Sequence, residues 1–121
     1  MDKKILVVDD AKFMRTIIRK ILKECGYENV TEAIDGENAL ELFGGLKPDL
    51  VLLDITMPGM SGLEVLEAIV KQSPKTTVIM CSAVGQESMI QKALIAGASD
   101  FIVKPFKADE FSTVVRRYLE Q

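Results

Sequence analysis

Five short apolar runs alternate along the chain with five longer segments that have helical periodicity. The runs are Lys4–Val8, Asn29–Ala33, Asp49–Leu53, Thr76–Cys81 and Phe101–Val103. Most of them are continuously apolar, which is typical of strands buried on both faces of a parallel sheet. The second run is more polar, which favours a place near an edge. This alternation predicts an α/β fold, a doubly wound five-stranded parallel sheet of (βα)5 type with right-handed crossovers.

The periodic segments are bounded by residues that typically start or stop helices. Gly26 follows the first segment, and Asp35 is expected to cap the second, which Gly44 and Gly45 would end. Ser61 and the glutamate three residues later predict a capping box at the start of the third. Spacing of three and four predicts the following inward-facing residues: Met14, Ile17, Ile18, Ile21, Leu22, Cys25, Ala39, Leu40, Phe43, Leu63, Leu66, Ile69, Val70, Ile90, Ala93, Leu94, Phe111, Val114, Val115, Tyr118 and Leu119.

Length, charge and hydropathy restrict the class of protein. A chain of 121 residues without linker or repeat is expected to form a single domain over residues 1–121. Its net charge of −3, from 15 basic and 18 acidic side chains, argues against a general nucleic-acid binder. No apolar stretch reaches the roughly 20 residues that span a bilayer. We therefore expect a cytoplasmic protein without membrane insertion.

Cysteine and histidine content narrows the chemistry. Cys25 and Cys81 are far apart and have no metal-type spacing, so both are expected to be small buried apolar residues rather than a disulfide or redox pair. The chain has no histidine, which removes the commonest general base and the commonest zinc ligand.

Polar side chains follow four of the five apolar runs. Asp9 and Asp10 follow the first, Asp54 the third, Ser82 the fourth and Lys104 the fifth. Ligands of open α/β sheets bind beyond the carboxyl ends of the strands. Each of these residues alone would usually be a cap, a turn residue or an exposed charge. Their occurrence after four different strands predicts one shared site.

This set of side chains fits phosphoryl transfer. Carboxylates at close range repel one another unless a cation lies among them. Mg²⁺ fits best, because it takes one or two carboxylates and keeps open positions for phosphate oxygens. A lysine adds positive charge and a hydroxyl can hydrogen bond to a phosphoryl oxygen. A carboxylate can itself accept the phosphoryl group.

The motifs resemble, in order and over nearly the whole chain, the receiver domain of bacterial response regulators. They are the Asp9-Asp10 pair, Asp54 within Leu-Leu-Asp-Ile-Thr-Met-Pro-Gly-Met-Ser-Gly, the Ser82-Ala83 pair and the segment 97–106, which ends Val-Lys-Pro-Phe. The sequence is most similar to the stand-alone chemotaxis branch of that family. The resemblance implies a flavodoxin-like strand order of 2-1-3-4-5.

The resemblance also implies a role for each site residue. Asp54 would accept the phosphoryl group, and Lys104 and Ser82 would contact it. Mg²⁺ would be held by Asp9, Asp10, Asp54 and the backbone carbonyl of Thr56. Ser82 and Phe101 would form the switch pair. The Lys104–Pro105 peptide bond is expected to be cis.

Three positions differ from common family choices. Residue 56 is Thr where Asn is frequent, residue 82 is Ser where Thr is frequent, and residue 101 is Phe instead of Tyr. The residues at positions 56 and 82 bear on the lifetime of the phosphoryl group. Phe101 lacks the tyrosine hydroxyl, so a partner cannot contact the protein through that group.

The function implied is a phosphorylation-activated switch of a two-component system. A histidine kinase would be the phosphodonor, a flagellar motor-switch protein the output partner and a phosphatase a further partner. The protein would be no conventional enzyme, although it would catalyse its own phosphoryl transfer and dephosphorylation. A phosphorelay carrier outside chemotaxis stays open as the alternative. Two other classes of protein fit the sequence less well. A haloacid-dehalogenase-like phosphatase requires a second aspartate at position 56, which is Thr here. A flavin-binding protein requires a Ser/Thr/Gly-rich loop at the position of Asp9 and Asp10.

Overall fold

The computed structural model describes residues 2–120 and contains five strands and five helices in strict alternation. The strands are β1 (Ile5–Val8), β2 (Val30–Ala33), β3 (Leu50–Asp54), β4 (Thr77–Ala83) and β5 (Asp100–Lys104). The helices are α1 (Lys12–Glu24), α2 (Gly36–Leu46), α3 (Gly62–Gln72), α4 (Glu87–Ala96) and α5 (Ala108–Leu119). All strand pairs are parallel, and the order β2-β1-β3-β4-β5 confirms the predicted topology.

Helices cover both faces of the sheet, which explains the continuous apolar runs. Every residue of β1 and β3 is buried, and β2, at one edge, has two partly exposed residues. One core layer joins the sheet to α2, α3 and α4 through residues such as Phe43, Leu66 and Ile90. The other joins it to α1 and α5 through Ile18 and Phe111. No helix within residues 2–120 is long and apolar enough to span a bilayer.

The predicted helix caps at Asp35 and Ser61 are confirmed. The Asp35 side chain accepts a hydrogen bond from the Asn38 N–H at 2.8 Å. Ser61 and Glu64 form the expected capping box. Each cap satisfies a backbone N–H that the first helical turn would leave without a partner, which fixes where the chain leaves the loops around the sheet edge.

The sequence prediction for the end of α2 is wrong. Helix α2 runs through Gly44 and Gly45 and ends at Leu46, because Leu46 packs against the core and Lys47 adopts the left-handed conformation at φ 50° instead. In α3 the predicted inner face is confirmed, since Leu66 and Ile69 are buried and Leu63 and Val70 pack against the core. Val65 is a further buried residue of this face that the spacing did not predict.

Two further residues lie nearer the surface than predicted. Leu94 of α4 is 41% exposed. Cys25 is the C-cap of α1 and is only partly buried, with its Sγ 3.3 Å from Ser112 Oγ. Cys81 is buried as predicted, and neither cysteine forms a disulfide.

Three polar residues expected just after strands instead lie inside them. Asp54 pairs with Cys81, Ser82 with Val103, and Lys104 with Ala83. Backbone pairing in a parallel ladder does not depend on side-chain polarity, so the strands continue through their polar last residues. The consequence is that rigid sheet backbone positions these side chains.

The loop after β3 turns back tightly against the end of that strand. Gly62 donates its N–H to the Ile55 carbonyl at 2.8 Å. A Cβ on Gly62 would lie 2.1 Å from the Asp54 carbonyl oxygen and 2.7 Å from the Ile55 Cα. Both neighbours are backbone atoms, so an added methyl group cannot be accommodated without moving the end of β3.

Replacement of Gly62 by alanine should therefore destabilise the fold by about 1–3 kcal/mol, the usual range for overpacking. Gly45→Ala is the matched control, since Gly45 is helical and nothing lies within 4 Å of its added Cβ. That variant should gain roughly 0.5–1 kcal/mol from helix propensity. Urea unfolding measures both, and equal midpoints for Gly62→Ala and the parent would contradict this account of the loop.

Candidate functional site

The predicted site residues collect at the carboxyl ends of neighbouring strands. Asp9 and Asp10 directly follow β1, Asp54 ends β3 and Lys104 ends β5. β1 is the strand from which the chain moves outward in both directions, to β2 on one side and to β3 on the other. This is the switch point at which open α/β sheets bind ligands.

An ammonium group joins two carboxylates at the centre of the site. Lys104 Nζ lies 3.3 Å from Asp9 Oδ2 and 3.3 Å from Asp54 Oδ1. The side chains of Asp9 and Asp54 are almost fully buried, whereas Asp10 is exposed. One carboxylate oxygen from each of the three aspartates lies within 4.8 Å of the others. The geometry therefore concentrates negative charge around one lysine.

Burial and charge shift the ionisation of this cluster. Burial is the main reason that the pKa of the Asp54 carboxyl is raised; Lys104 opposes the shift, Asp9 adds to it, and a hydrogen bond from the Thr56 backbone opposes it. Burial by itself would lower the pKa of Lys104, but the charges of Asp54 and Asp9 overcome this and raise it. Lys104 is thus held as a cation.

Ser82 has a buried hydroxyl without a hydrogen-bond partner. The residue is 0% exposed, and its Oγ is the one buried side-chain nitrogen or oxygen atom within residues 2–120 that makes no hydrogen bond. Ser82 follows Cys81, which pairs with Asp54 on β3. A buried unpaired hydroxyl destabilises the fold by roughly 1–3 kcal/mol, so this position is suited to a ligand oxygen.

An apolar groove of about 370 Å³ lies beside the site, between α4 and β5. Its walls include Val84, Ile90, Leu94, Phe101 and Val103. Phe101 is 39% exposed and pairs through its backbone with Met80. Phe101, the predicted switch aromatic, therefore lies on the groove surface. Leu94 also lines this groove, which accounts for its exposure.

The remaining predicted residues lie at the rim. The Lys104–Pro105 peptide bond is cis. Thr56 is exposed and its Oγ1 accepts a hydrogen bond of 2.6 Å from Gln86 Nε2. Gln86 Oε1 accepts from the Ala83 N–H, also at 2.6 Å. One amide side chain thus ties the β4–α4 loop to the β3–α3 loop, and no sequence pattern pointed to Gln86.

Arg15 is a second residue that the sequence analysis missed. Its guanidinium contacts the backbone of Asp9, and the residue is 8% exposed. A signal was present in the sequence, since Arg15 is spaced three and seven residues from Ile18 and Leu22, which are fully buried on α1. A charged residue on a buried helical stripe usually has a partner.

A family model for the response regulator receiver domain matches residues 5–116. The chain therefore belongs to the response regulator receiver family of two-component systems. Receiver domains take a phosphoryl group from histidine kinases and generally bind Mg²⁺ at an acidic pocket. Family membership sets aside the dehalogenase-like and flavin-binding alternatives.

Particular relatives carry chemotaxis names. The chain is 54% identical over 106 residues to chemotaxis protein CheY of Listeria monocytogenes, covering 88% of this chain and 89% of that protein. It is 48% identical to CheY of Bacillus subtilis over 119 residues, covering 98% and 99%. The receiver domain of NtrX from Brucella abortus superposes with a TM-score of 0.92 at 41% identity, covering 98% and 99%. The chain spans 27% of longer NtrX chains.

The raised pKa of Asp54 has a consequence for stability. Because the folded state stabilises this carboxylate less well than water does, stability is lost as the pH rises from the ordinary value of aspartate, about 4, through the raised value in the folded state. Asp54→Asn should therefore raise the Tm at pH 7 in Mg²⁺-free buffer, and the gain should vanish at low pH.

Differential scanning calorimetry from low to neutral pH checks this, since 1 kcal/mol shifts the Tm by roughly 4 °C at this chain length. Asp2→Asn, at an exposed position outside the cluster, is the control. A Tm for Asp54→Asn below that of the parent at neutral pH would show that the attraction to Lys104 outweighs burial.

Proposed function

We propose that the protein is a phosphorylation-activated signalling switch that accepts a phosphoryl group on Asp54 from a histidine kinase. The observation that carries the proposal is the Lys104 ammonium, held 3.3 Å from Asp54 beside a buried, unpaired Ser82 hydroxyl. A carboxylate, a cation and a free hydrogen-bond donor are the groups that an aspartyl phosphate needs.

Asp54 is the best acceptor of the three aspartates. Asp9 and Asp54 each accept hydrogen bonds from Lys104 and from a backbone N–H, so hydrogen bonding does not separate them. Asp9 lies in the loop after β1, whereas Asp54 lies within β3. Asp10 is exposed to water. Asp54 combines a raised pKa, which makes its carboxylate a stronger base, with a fixed backbone at the end of β3.

The acidic cluster suits Mg²⁺ by the chemistry of its donors. Three carboxylate oxygens within 4.8 Å of one another are hard ligands. We assign Asp9, Asp10, Asp54 and the Thr56 carbonyl as the residues that would hold the ion. When bound, Mg²⁺ supplies positive charge that neutralises the oxygens of the transferred group.

In the transfer, a carboxylate oxygen of Asp54 attacks the phosphorus of a phosphohistidine. The new O–P bond forms as the P–N bond breaks, and the departing imidazole nitrogen keeps the electron pair and takes a proton from solvent. Lys104 offsets the negative charge of the phosphoryl oxygens, and the Ser82 hydroxyl donates a hydrogen bond to one of them. Hydrolysis breaks the O–P bond with water and returns carboxylate and phosphate.

Phosphorylation would shift the protein between two packings. The new group adds a charge of roughly −1.5 to −2. Ser82 gains the partner that it lacks, and the loop that follows it moves toward the site. Phe101, on the neighbouring strand, then turns inward and reshapes the groove between α4 and β5. This is a population shift produced by a local electrostatic change.

We assign the switch to chemotaxis in the cytoplasm, with a flagellar motor-switch protein as output partner and a phosphatase as a further partner. Relatives named CheY at 48–54% identity support this assignment. The alternative is a phosphorelay carrier, which sporulation initiation phosphotransferase F of Bacillus subtilis favours at 37% identity over 119 residues.

Incubation with acetyl phosphate and Mg²⁺ should add one phosphoryl group to the parent protein, as seen by intact-mass spectrometry. Asp54→Asn should abolish this modification, because an amide oxygen is a far weaker nucleophile than a carboxylate. Asp2→Asn should react like the parent. Modification of Asp54→Asn at the parent's rate would refute the assignment of the acceptor.

Binding to a flagellar motor-switch peptide should tighten when beryllofluoride and Mg²⁺ stand in for the phosphoryl group. Leu94→Ser, which alters the groove wall, should weaken this binding at least several-fold. Ile95→Ser changes a neighbouring α4 residue that is 87% exposed and does not line the groove, so it should bind like the parent. Isothermal titration calorimetry measures these affinities. No motor-switch binding, together with phosphoryl transfer to a histidine phosphotransfer domain, would favour the relay.

A further inference from the structure

Arg15 is a charged side chain that the fold buries beside the acidic cluster, and the proposed transfer reaction does not use it. The residue is 8% exposed. Its Nη1 donates to the Asp9 carbonyl oxygen at 2.6 Å, and its Nε donates to Glu32 Oε1 at 2.9 Å. Burial of a guanidinium is unfavourable unless its hydrogen bonds are well made. Because Arg15 donates to the backbone of the loop that carries Asp9 and Asp10, we expect its buried side chain to have a function in that loop.

Glu32 on β2 compensates the charge of Arg15. Its two oxygens bind Arg15 and Arg19 separately, each at 2.9 Å. Burial by itself would raise the pKa of Glu32, but the hydrogen bonds and charges of Arg19 and Arg15 lower it overall. Glu32 is therefore ionised at neutral pH and holds the Arg15 fork in one orientation.

The hydrogen bond from Arg15 to the Asp9 carbonyl orients the whole peptide unit between Asp9 and Asp10. The Asp9 carbonyl and the Asp10 nitrogen belong to one rigid peptide plane, so the hydrogen bond from Arg15 sets the direction in which the chain enters Asp10. Two further bonds hold the same loop: the Asp9 N–H donates to the Ala33 carbonyl at 3.2 Å, and Asp9 Oδ1 accepts from the Ala11 N–H at 2.8 Å. Asp10 is exposed, and among residues 2–120 no side-chain hydrogen bond to it is present to fix it otherwise.

We propose that Arg15 is a positioning residue for the cation site: by gripping the Asp9 carbonyl it holds the Asp9 and Asp10 carboxylates in the arrangement that binds Mg²⁺. The proposal rests on the Mg²⁺ binding assigned above. Outer hydrogen bonds of this kind typically change metal affinity by about 10–100-fold.

The sign of the effect separates positioning from simple electrostatics. The positive charge of Arg15 repels a divalent cation, so its removal would strengthen Mg²⁺ binding if charge alone mattered. Loss of the hydrogen bond to Asp9 would instead weaken binding. Arg15→Met removes charge and hydrogen bond together while keeping a long apolar stem, so the direction of the change shows which effect dominates.

Arg19→Met is the matched control. Arg19 lies one turn further along α1, shares Glu32 with Arg15, and donates to the Val30 carbonyl at 2.7 Å rather than to Asp9. The two substitutions remove the same charge, and only Arg15→Met frees the Asp9 peptide. Arg15→Lys keeps the charge without the two-armed geometry.

Calorimetric titration of Mg²⁺ into the 121-residue protein provides the test. Arg15→Met should weaken the affinity roughly tenfold, Arg15→Lys by less, and Arg19→Met within twofold. Equal or tighter binding by Arg15→Met would overturn the proposal. If Arg15→Met does not fold, the Mg²⁺ affinities of Arg15→Lys and Glu32→Gln test the proposal instead. Both variants should bind Mg²⁺ more weakly than the parent, and parent-like affinity in both would overturn the proposal. Absence of binding by the parent would instead remove the cofactor assignment, and the role of Arg15 with it.

Discussion

The arrangement of this site depends on one ammonium group shared by two buried carboxylates. Asp9 directly follows β1 and Asp54 ends the neighbouring β3, so the sheet itself forces their charges together. Lys104 reaches them from β5, which β4 separates from β3 and which β4 and β3 together separate from β1. Without that cation one of the two carboxylates would have to take up a proton or move away from the other. The long side chain of a lysine is what lets β5, which is not paired with either β1 or β3, neutralise the cluster.

The parallel α/β architecture and the membership of the site could be predicted from the sequence because both depend on local signals, whereas the strand order came from the resemblance to the receiver family. Continuous apolar runs mark strands covered on both faces, and polar residues at their carboxyl ends must meet at one edge. The caps at Asp35 and Ser61 are equally local, since each bond spans three residues. Strand ends were misplaced because residues such as Asp54 and Ser82 keep their ladder pairing while their side chains serve the site.

The parts that could not be predicted depend on contacts between distant residues. Gln86 bonds Thr56 across 30 positions, and Arg15 bonds Glu32 across 17. Nothing in the neighbourhood of either residue specifies such a partner. Helix α2 continues through two glycines because tertiary packing of Leu46 outweighs their low helix propensity. Leu94 has helical spacing but lines the groove between α4 and β5 instead of entering the core.

The β4–α4 loop shows how the resting arrangement can be held and still be released. Ser82 keeps a buried hydroxyl without a partner, which leaves a penalty that a phosphoryl oxygen would remove. The next residue, Ala83, has its N–H satisfied by Gln86, which also grips Thr56. In the proposed switch, movement of the loop toward Asp54 would exchange the Gln86 bonds for contacts with the phosphoryl group. Each neutral hydrogen bond contributes only about 1 kcal/mol, whereas bonds to a charged acceptor are roughly twice as strong. That difference favours the resting packing before phosphorylation and the alternative packing after it.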